Sequence, residues 1–475
     1  MNSAKVQCEF GSFRDPSGFV FYLQDEVYRA VDSESFELIQ QFEKDGLLYN
    51  LGNLGYLIPT NIITQTDPTH KILKDNLPDG KHFLHHTKVS TISYPYEWSF
   101  SMLADSAKLQ LELQLKLIEK GYSLKDASAF NVQFIHCRPL FIDILSIEKL
   151  RLKEVWIAYG QFCQMYLFPL LLKRYKNISS KGYYLNNING LSIEEVYQIL
   201  GFLASLKPAL FLDVFLQNYF QKSSSNKTAA LKQKLAKEGS SITSQVINIK
   251  RMLRKIDKIA SVHKPIGHWI DYINKNTYSK EAEEEKVNYI KDFLKRYSPT
   301  TVLDLGCNTG RYSLLASESG ADVIAVDSDH DSIDLLYRHA KKAQANILPL
   351  WVDIANPTPA LGFRNQERKS FMERIKADAV FALALIHHLL ITSRIPMDAV
   401  RDLFYELTGS YLVVEFIGRN DEMFQTLLAL REDIYSDIDP DSFLAIFNQK
   451  FELINQHRIS NTERILFTFK KKQTF

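Results

Sequence analysis

Three aspartates and one glycine turn in the last third of the chain are spaced for holding a nucleoside-bearing ligand. Thr301-Val302-Leu303-Asp304-Leu305 is an apolar run carrying one acid, and Gly306-Cys307-Asn308-Thr309-Gly310 follows it at once. Glycines at such a turn let the backbone approach a ligand closely, and α/β sheets bind ligands at the carboxyl ends of their strands. A second apolar run, Val323-Ile324-Ala325-Val326, ends at Asp327, about 20 residues beyond the turn, where an acid can accept hydrogen bonds from both ribose hydroxyls. A third ends in Trp351-Val352-Asp353-Ile354. A dinucleotide is the competing ligand, but the tighter G-x-G-x-x-G that a pyrophosphate needs is missing. Asp304 would also repel phosphate, whereas an acid there suits an ammonium group.

The same segment resembles motif I of class I methyltransferases. The resemblance implies S-adenosylmethionine as cofactor, with Asp304, Gly306 and Gly310 lining its methionine part and Cys307 and Asn308 belonging to the same turn. It further implies that Asp327 holds the ribose and that Asp353 meets the adenine amino group. A fourth strand-like run leads into Leu383-Ala384-Leu385-Ile386-His387-His388-Leu389, and residues after this strand face the methyl group in that class. A histidine there can serve as general base on an acceptor hydroxyl, because its ordinary pKa lies near working pH. His387 and His388 are both candidates; either can equally pack on the cofactor or bond locally. Glu415, ending Val413-Val414-Glu415, is a further catalytic candidate or an acid that orders a histidine. Methyl transfer needs little covalent help from the protein, since alignment and desolvation supply much of the rate.

Placing these residues requires strands alternating with helices. Strands are expected at Thr301–Leu305, Asp322–Val326, Ile347–Val352, Ala377–Leu385 and Tyr411–Phe416, with helices at Tyr312–Ser319, Asp331–Ala343 and Glu367–Lys376 between the first four. That alternation predicts a Rossmann-like α/β domain: a parallel sheet with helices on both faces. It spans residues 265–475, after a polar linker and basic connecting helix at 222–264. The run Lys250–Lys258 within that helix reads as a solvated face rather than a nucleic-acid site. Trp269–Tyr278, just before the sheet, could close over the cofactor or join the core.

Residues 1–221 are a mixed α+β domain. Strands are expected at Gly18–Leu23, Glu26–Val31 and Lys88–Tyr94, and helices at Ser33–Lys44 and Asp105–Lys120. Asp126, Asn131 five positions on, and Asp143 after a short hairpin follow the order of a kinase catalytic loop and metal-binding acid. This half therefore resembles a kinase-like fold of the aminoglycoside-phosphotransferase type. Leu124-Lys125 before Asp126, Ile144-Leu145 after Asp143 and the absence of a glycine-rich loop in Phe13–Leu23 depart from the pattern. Arg29 stands where a phosphate-pairing lysine is expected. These departures favour a degenerate fold without phosphoryl transfer over an active kinase using ATP and magnesium, or over a coincidental spacing.

Over nearly its whole length the chain resembles the NoeA-like family of methyltransferases linked to nodulation host specificity. The marks are Phe13-Arg14-Asp15-Pro16-Ser17-Gly18, Asp126–Asp143, Asp304–Gly310, Arg364–Ser370, Ala384–Leu389, Arg431-Glu432-Asp433 and Thr462-Glu463-Arg464. The acceptor is not implied; it is a small molecule or a protein. A net charge of +2 gives no reason to invoke nucleic acid or an acidic membrane. Four scattered cysteines form no metal-ligand spacing and fit a reducing, cytoplasmic setting. The apolar stretch Val155–Leu172 is broken by Gln161, Gln164 and Pro169, and reads as a buried helix, not a membrane span. Two rival readings are a bifunctional kinase-methyltransferase and a scaffold that binds the cofactor without turnover.

Overall fold

A computed structural model describes residues 6–151, 156–222, 241–263, 265, 279–429, 431 and 438–473. The Trp269–Tyr278 segment and the Glu432-Asp433 pair singled out above lie outside these residues.

In the N-terminal part, β1 (Gln7–Cys8), β2 (Gly18–Leu23), β3 (Glu26–Val31), β4 (Thr60–Ile62) and β5 (His82–His86) form an antiparallel sheet in the order β1-β2-β3-β5-β4. The β2–β3 hairpin turns on Gln24 and Asp25, both in left-handed backbone, as a two-residue hairpin loop demands. The strand expected at Lys88–Tyr94 is instead His82–His86. At Ser93 both backbone groups are taken by the Gln133 side chain, at 2.9 Å each, which leaves no ladder partner for a strand there. The helix begins at Phe100, five residues before the expected start, where the Ser99 hydroxyl accepts from the Met102 N–H. It runs to Glu119 and buries its apolar side chains along the core. Then come β6 (Tyr122–Leu124), the hairpin of β7 (Val132–Ile135) and β8 (Arg138–Phe141), and β9 (Ile147–Lys149), which pairs with β6. Residues Tyr159–Lys176 are helical and buried over most of their apolar residues. No helix of the described residues is long and apolar enough to cross a membrane.

The C-terminal sheet has seven strands: β10 (Thr301–Leu305), β11 (Asp322–Asp327), β12 (Ile347–Trp351), β13 (Ala377–Ala382), β14 (Thr408–Ile417), β15 (Phe451–Arg458) and β16 (Arg464–Lys471). Their order is β12-β11-β10-β13-β14-β16-β15, with the first five parallel and β16 antiparallel to both neighbours. The order reverses at β10, so the crevice beyond the β10 and β13 ends is the topological switch point where such sheets take ligands. Strands β15 and β16 were not anticipated from sequence. The run expected to continue to Leu385 stops at Ala382, and Ala384 turns the chain in left-handed backbone (φ +53°).

The helix expected at Glu367–Lys376 is a second departure. Only Phe371–Arg374 is α-helical, started by a Ser370–Glu373 capping box, and Arg364 and Asn365 sit in left-handed backbone before it. The reason is tertiary, because residues 358–374 form an arm whose side chains engage the N-terminal half. Arg374 donates to Glu97 (2.5 Å) and to the Ile92 carbonyl, and Thr358 donates to the same Glu97 oxygen (2.5 Å). The Lys369 N–H donates to the Tyr94 hydroxyl (3.1 Å), Arg368 stacks 4.7 Å above the Phe130 ring, and Glu367 pairs with Arg14.

Candidate functional site

Residues that the sequence placed far apart converge at the carboxyl edge of β10, β11 and β12. The turn after β10 is pinned to its neighbour, with the Gly306 and Cys307 N–H groups donating to the Val326 carbonyl at 2.9 and 3.0 Å. Gly306 (φ +71°) and Asn308 (φ +50°) are both left-handed, and asparagine tolerates that region better than most residues. A Cβ on Gly306 would meet the Leu385 side chain at 3.2 Å, so the turns after β10 and β13 approach closely. Gly310 has a different reason: a Cβ there would overlap Leu336 of the neighbouring helix, so this glycine serves helix packing. Cys307 is buried, which pushes its thiol pKa well up and keeps it protonated.

The three acids are distinct in environment. Asp304 is buried and accepts from the Ser313 hydroxyl at 2.6 Å; burial raises its pKa to about 6, against the pull of Ser313 and Lys286. Asp327 is partly buried and clamps both turns, accepting from the Asn308 N–H (2.8 Å) and the Asp329 N–H (2.8 Å). Burial still raises its pKa, the two backbone donors offsetting part of that. Asp353 is exposed and accepts from the Ala355 N–H at 2.9 Å.

Beyond β13, His387 is 2 % exposed, and neither of its ring nitrogens has a hydrogen-bond partner among the described residues. Buried polar atoms without partners are rare and ask for an occupant. Burial, then the neighbouring His388 and Arg464, drive the His387 pKa well down, so the ring is neutral. His388 lies ring to ring with it at 4.2 Å and is also lowered by burial.

Glu415 on β14 is fully buried between two cations, Lys286 Nζ at 2.5 Å and Arg464 Nη1 at 3.3 Å, and Arg464 also binds Asp421 at 2.7 Å. With both oxygens occupied, it anchors the helix Lys280–Tyr297 and β16 to the sheet and adds attraction toward a proton on His387. Lys286 and Ser313 were missed from sequence, and Arg464 was marked there only within Thr462-Glu463-Arg464, without a role. Lys286 is one of several lysines in the charged run Lys280–Arg296, and nothing local separates it from the others.

These residues fit the cofactor that the sequence implied. The open strand-end turn takes a backbone-contacting ligand, the buried acid whose charge is costly wants a cation, and the exposed acid beyond β12 is free to accept from an amine. The unpartnered His387 lies beyond the adjoining strand.

The N-terminal trio also converges, but its polar groups are engaged by neighbouring residues. Arg29 donates to Asp143 (2.6 Å), Ser146 donates to the other Asp143 oxygen, and Asn131 Nδ2 contacts Ser146 Oγ at 3.4 Å. Burial pushes the Asp143 carboxyl up, but Arg29 and Ser146 outweigh it and leave its pKa below the usual range. Asp126 caps Ser128 N–H at 2.7 Å; burial and the nearby Asp143 charge raise its pKa.

The seven-stranded order with one antiparallel strand, and the glycine turn with its ordered acids, define a class I S-adenosylmethionine-dependent methyltransferase. The chain belongs to the NoeA family: it is 33% identical over 474 residues to the nodulation protein NoeA of Rhizobium meliloti (strain 1021), covering 98% of this chain and 96% of that one. A family model described as tellurite resistance protein TehB matches residues 271–359. A ribosomal protein L11 methyltransferase of Thermotoga petrophila is 37% identical over 65 residues, 13% of this chain and 25% of its own. Among solved structures, the N-methyltransferase NodS from Bradyrhizobium japonicum WM9 aligns at TM-score 0.31 and 12% identity, over 41% of this chain and 99% of that one. The bifunctional kinase-methyltransferase WbdD aligns at TM-score 0.31 and 17% identity, over 45% of each chain.

Proposed function

We propose that the C-terminal half, about residues 265–475, moves the methyl group of S-adenosylmethionine to a nucleophile on a small-molecule or protein acceptor, with His387 as general base. The observation that carries this is the ordered set Asp304, Asp327 and Asp353 at the carboxyl ends of three adjacent parallel strands, with an unpartnered neutral histidine beyond the fourth. When bound, the cofactor supplies an already activated methyl group. Asp304 offsets the charge of its ammonium, Asp327 accepts from the ribose hydroxyls, and Asp353 accepts from the adenine amino group, while the 306–308 turn gives backbone contact. A neutral His387 at neutral pH is the form that can take a proton from the acceptor. Its lowered pKa also makes it a weak base, and the Glu415 charge favours the protonated ring. Glu415 therefore has an ordering role, and His388 shields or orients its neighbour. Calorimetry with S-adenosylhomocysteine tests the reading. Binding that Asp327→Ala abolishes or weakens supports it, and no binding, or binding indifferent to Asp327, sinks it.

The N-terminal half, residues 1–221, is read as a kinase-like fold without phosphoryl transfer that positions or regulates the methyltransferase half. The arm 358–374 supports this. It touches the β1–β2 connection at Arg14, the Ile92–Glu97 segment and Phe130 beside Asn131, three walls of the cleft where a kinase-like fold would take a nucleotide. Arg29 neutralises Asp143 directly, which competes with a metal ion for the same carboxylate. Asp126→Ala is expected to leave methyl transfer intact, and ATP hydrolysis that disappears with this variant would restore the bifunctional reading.

A further inference from the structure

The adenine side of the site is not built by the C-terminal half alone. Lys181 opens the short helix Lys181–Asn186 of the N-terminal half, which packs against the turn Pro95–Glu97. Its ammonium donates to the Trp351 carbonyl at 3.0 Å and lies 4.8 Å from the centre of the Trp351 ring. Burial lowers its pKa, and the nearby charges of two carboxylates, Glu97 and Asp353, offset only part of that.

Trp351 is the last residue of β12, two before Asp353, and it ties two strand ends together. Its indole N–H donates to the Ser328 carbonyl at 2.8 Å, immediately after Asp327. Its ring meets the edge of His330 at 5.0 Å, and His330 accepts from the Phe100 N–H at 3.1 Å, which brings the N-terminal half against the same wall a second time. Trp351 thus joins the loop of the ribose acid to the loop of the adenine acid, and Lys181 holds Trp351 by carbonyl and ring while attracting Asp353. A lysine ammonium has three donors and a point charge, so it can anchor one carbonyl and still draw a carboxylate toward it.

We propose that Lys181 is a positioning residue for the adenosyl end of the cofactor, setting Trp351 and Asp353 so that cofactor affinity depends on the N-terminal half. The inference rests on the reading above that Asp353 accepts from the adenine amino group. It gives the kinase-like half a defined task, which is completing the nucleoside wall.

The test uses the full chain and two probes, S-adenosylhomocysteine and S-inosylhomocysteine, whose base carries oxygen in place of the 6-amino group. Lys181→Met keeps the aliphatic stem and removes the charge. The expected result is about tenfold weaker binding of S-adenosylhomocysteine, equivalent to about 1.4 kcal/mol. Little change is expected for the inosyl probe, and the KM for the methyl donor rises with kcat unchanged. Lys181→Gln, which keeps a donor for the Trp351 carbonyl, guards against a folding defect and should show the same preference between probes. The double variant Lys181→Met/Asp353→Asn should bind no more weakly than Asp353→Asn alone. Equal losses for both probes, or no loss while Asp353→Asn does weaken binding, would overturn the role of Lys181 and leave the cofactor reading standing. An unmodified chain that binds neither probe overturns the cofactor reading itself, and this inference with it.

Discussion

Cofactor affinity should fall in acid because of Asp304. Burial holds this carboxyl at about 6, some two units above its ordinary value of 3.8. A ligand ammonium near it favours the ionised form and returns the pKa toward the ordinary range. Below about pH 6 the free protein carries the proton and the complex does not, so binding must expel it. Each pH unit below 6 then costs about 1.4 kcal/mol, or tenfold in affinity, until the pKa of the complex is reached. At pH 5 the dissociation constant for S-adenosylhomocysteine should be about ten times that at pH 7.5. Calorimetry in two buffers of different ionisation enthalpy should show close to one proton released at pH 5 and none at pH 7.5. Asp304→Asn should bind more weakly at neutral pH and lose the slope. In the ligand-free protein the sign is complementary. A raised carboxyl pKa stabilises the fold fully below about pH 4 and loses that contribution as pH rises through 6, a cost near neutrality of roughly 3 kcal/mol. Asp304→Asn removes the cost, so its melting temperature at pH 7.5 should be no lower than that of the unmodified chain. Affinity flat from pH 5 to 7.5, or the same slope in Asp304→Asn, would refute the reasoning.

Asp327→Ala should weaken S-adenosylhomocysteine about 10- to 100-fold, the equivalent of one lost charged hydrogen bond to the ribose, at about 1.5–3 kcal/mol; titration calorimetry reads this directly. His387→Asn should lower kcat by about 10²- to 10⁴-fold once an acceptor is in hand, with cofactor affinity unchanged; a loss of affinity alone would make the ring a packing residue. Glu415→Gln leaves Lys286 and Arg464 facing a neutral group in a buried setting and should cost about 3–5 kcal/mol of stability by denaturant unfolding. His387 is buried neutral, so its stabilising contribution is present above its ordinary pKa of 6.5 and is lost as pH falls below it. His387→Asn should accordingly narrow the stability difference between pH 7.5 and pH 5, measured by thermal melting.

The sequence by itself carried the cofactor end of this protein. Strand, glycine turn and acid lie within ten consecutive residues at Thr301–Gly310, and such a unit is set by local backbone preferences and strand patterning. Asp327 and Asp353 stood out for the same reason, since the first closes an apolar strand of recognisable length and the second lies two residues beyond another. The order Asp126, Asn131, Asp143 was legible too, but not what those groups do, because Arg29 and Ser146 claim Asp143 only once the chain folds. Tertiary structure decided the rest through pairs distant in sequence. Glu415 seen along the chain is an acid at a strand end, and only its clamp between Lys286, 129 residues away, and Arg464 makes it an anchor. Residues 367–376 have helical composition, yet their side chains are spent on Arg14, Tyr94, Glu97 and Phe130, so the helix shrinks to one turn. Lys181 had no local signal at all. It comes to matter because the N-terminal half folds over the end of β12, where the Trp351 carbonyl and ring fix its ammonium near Asp353.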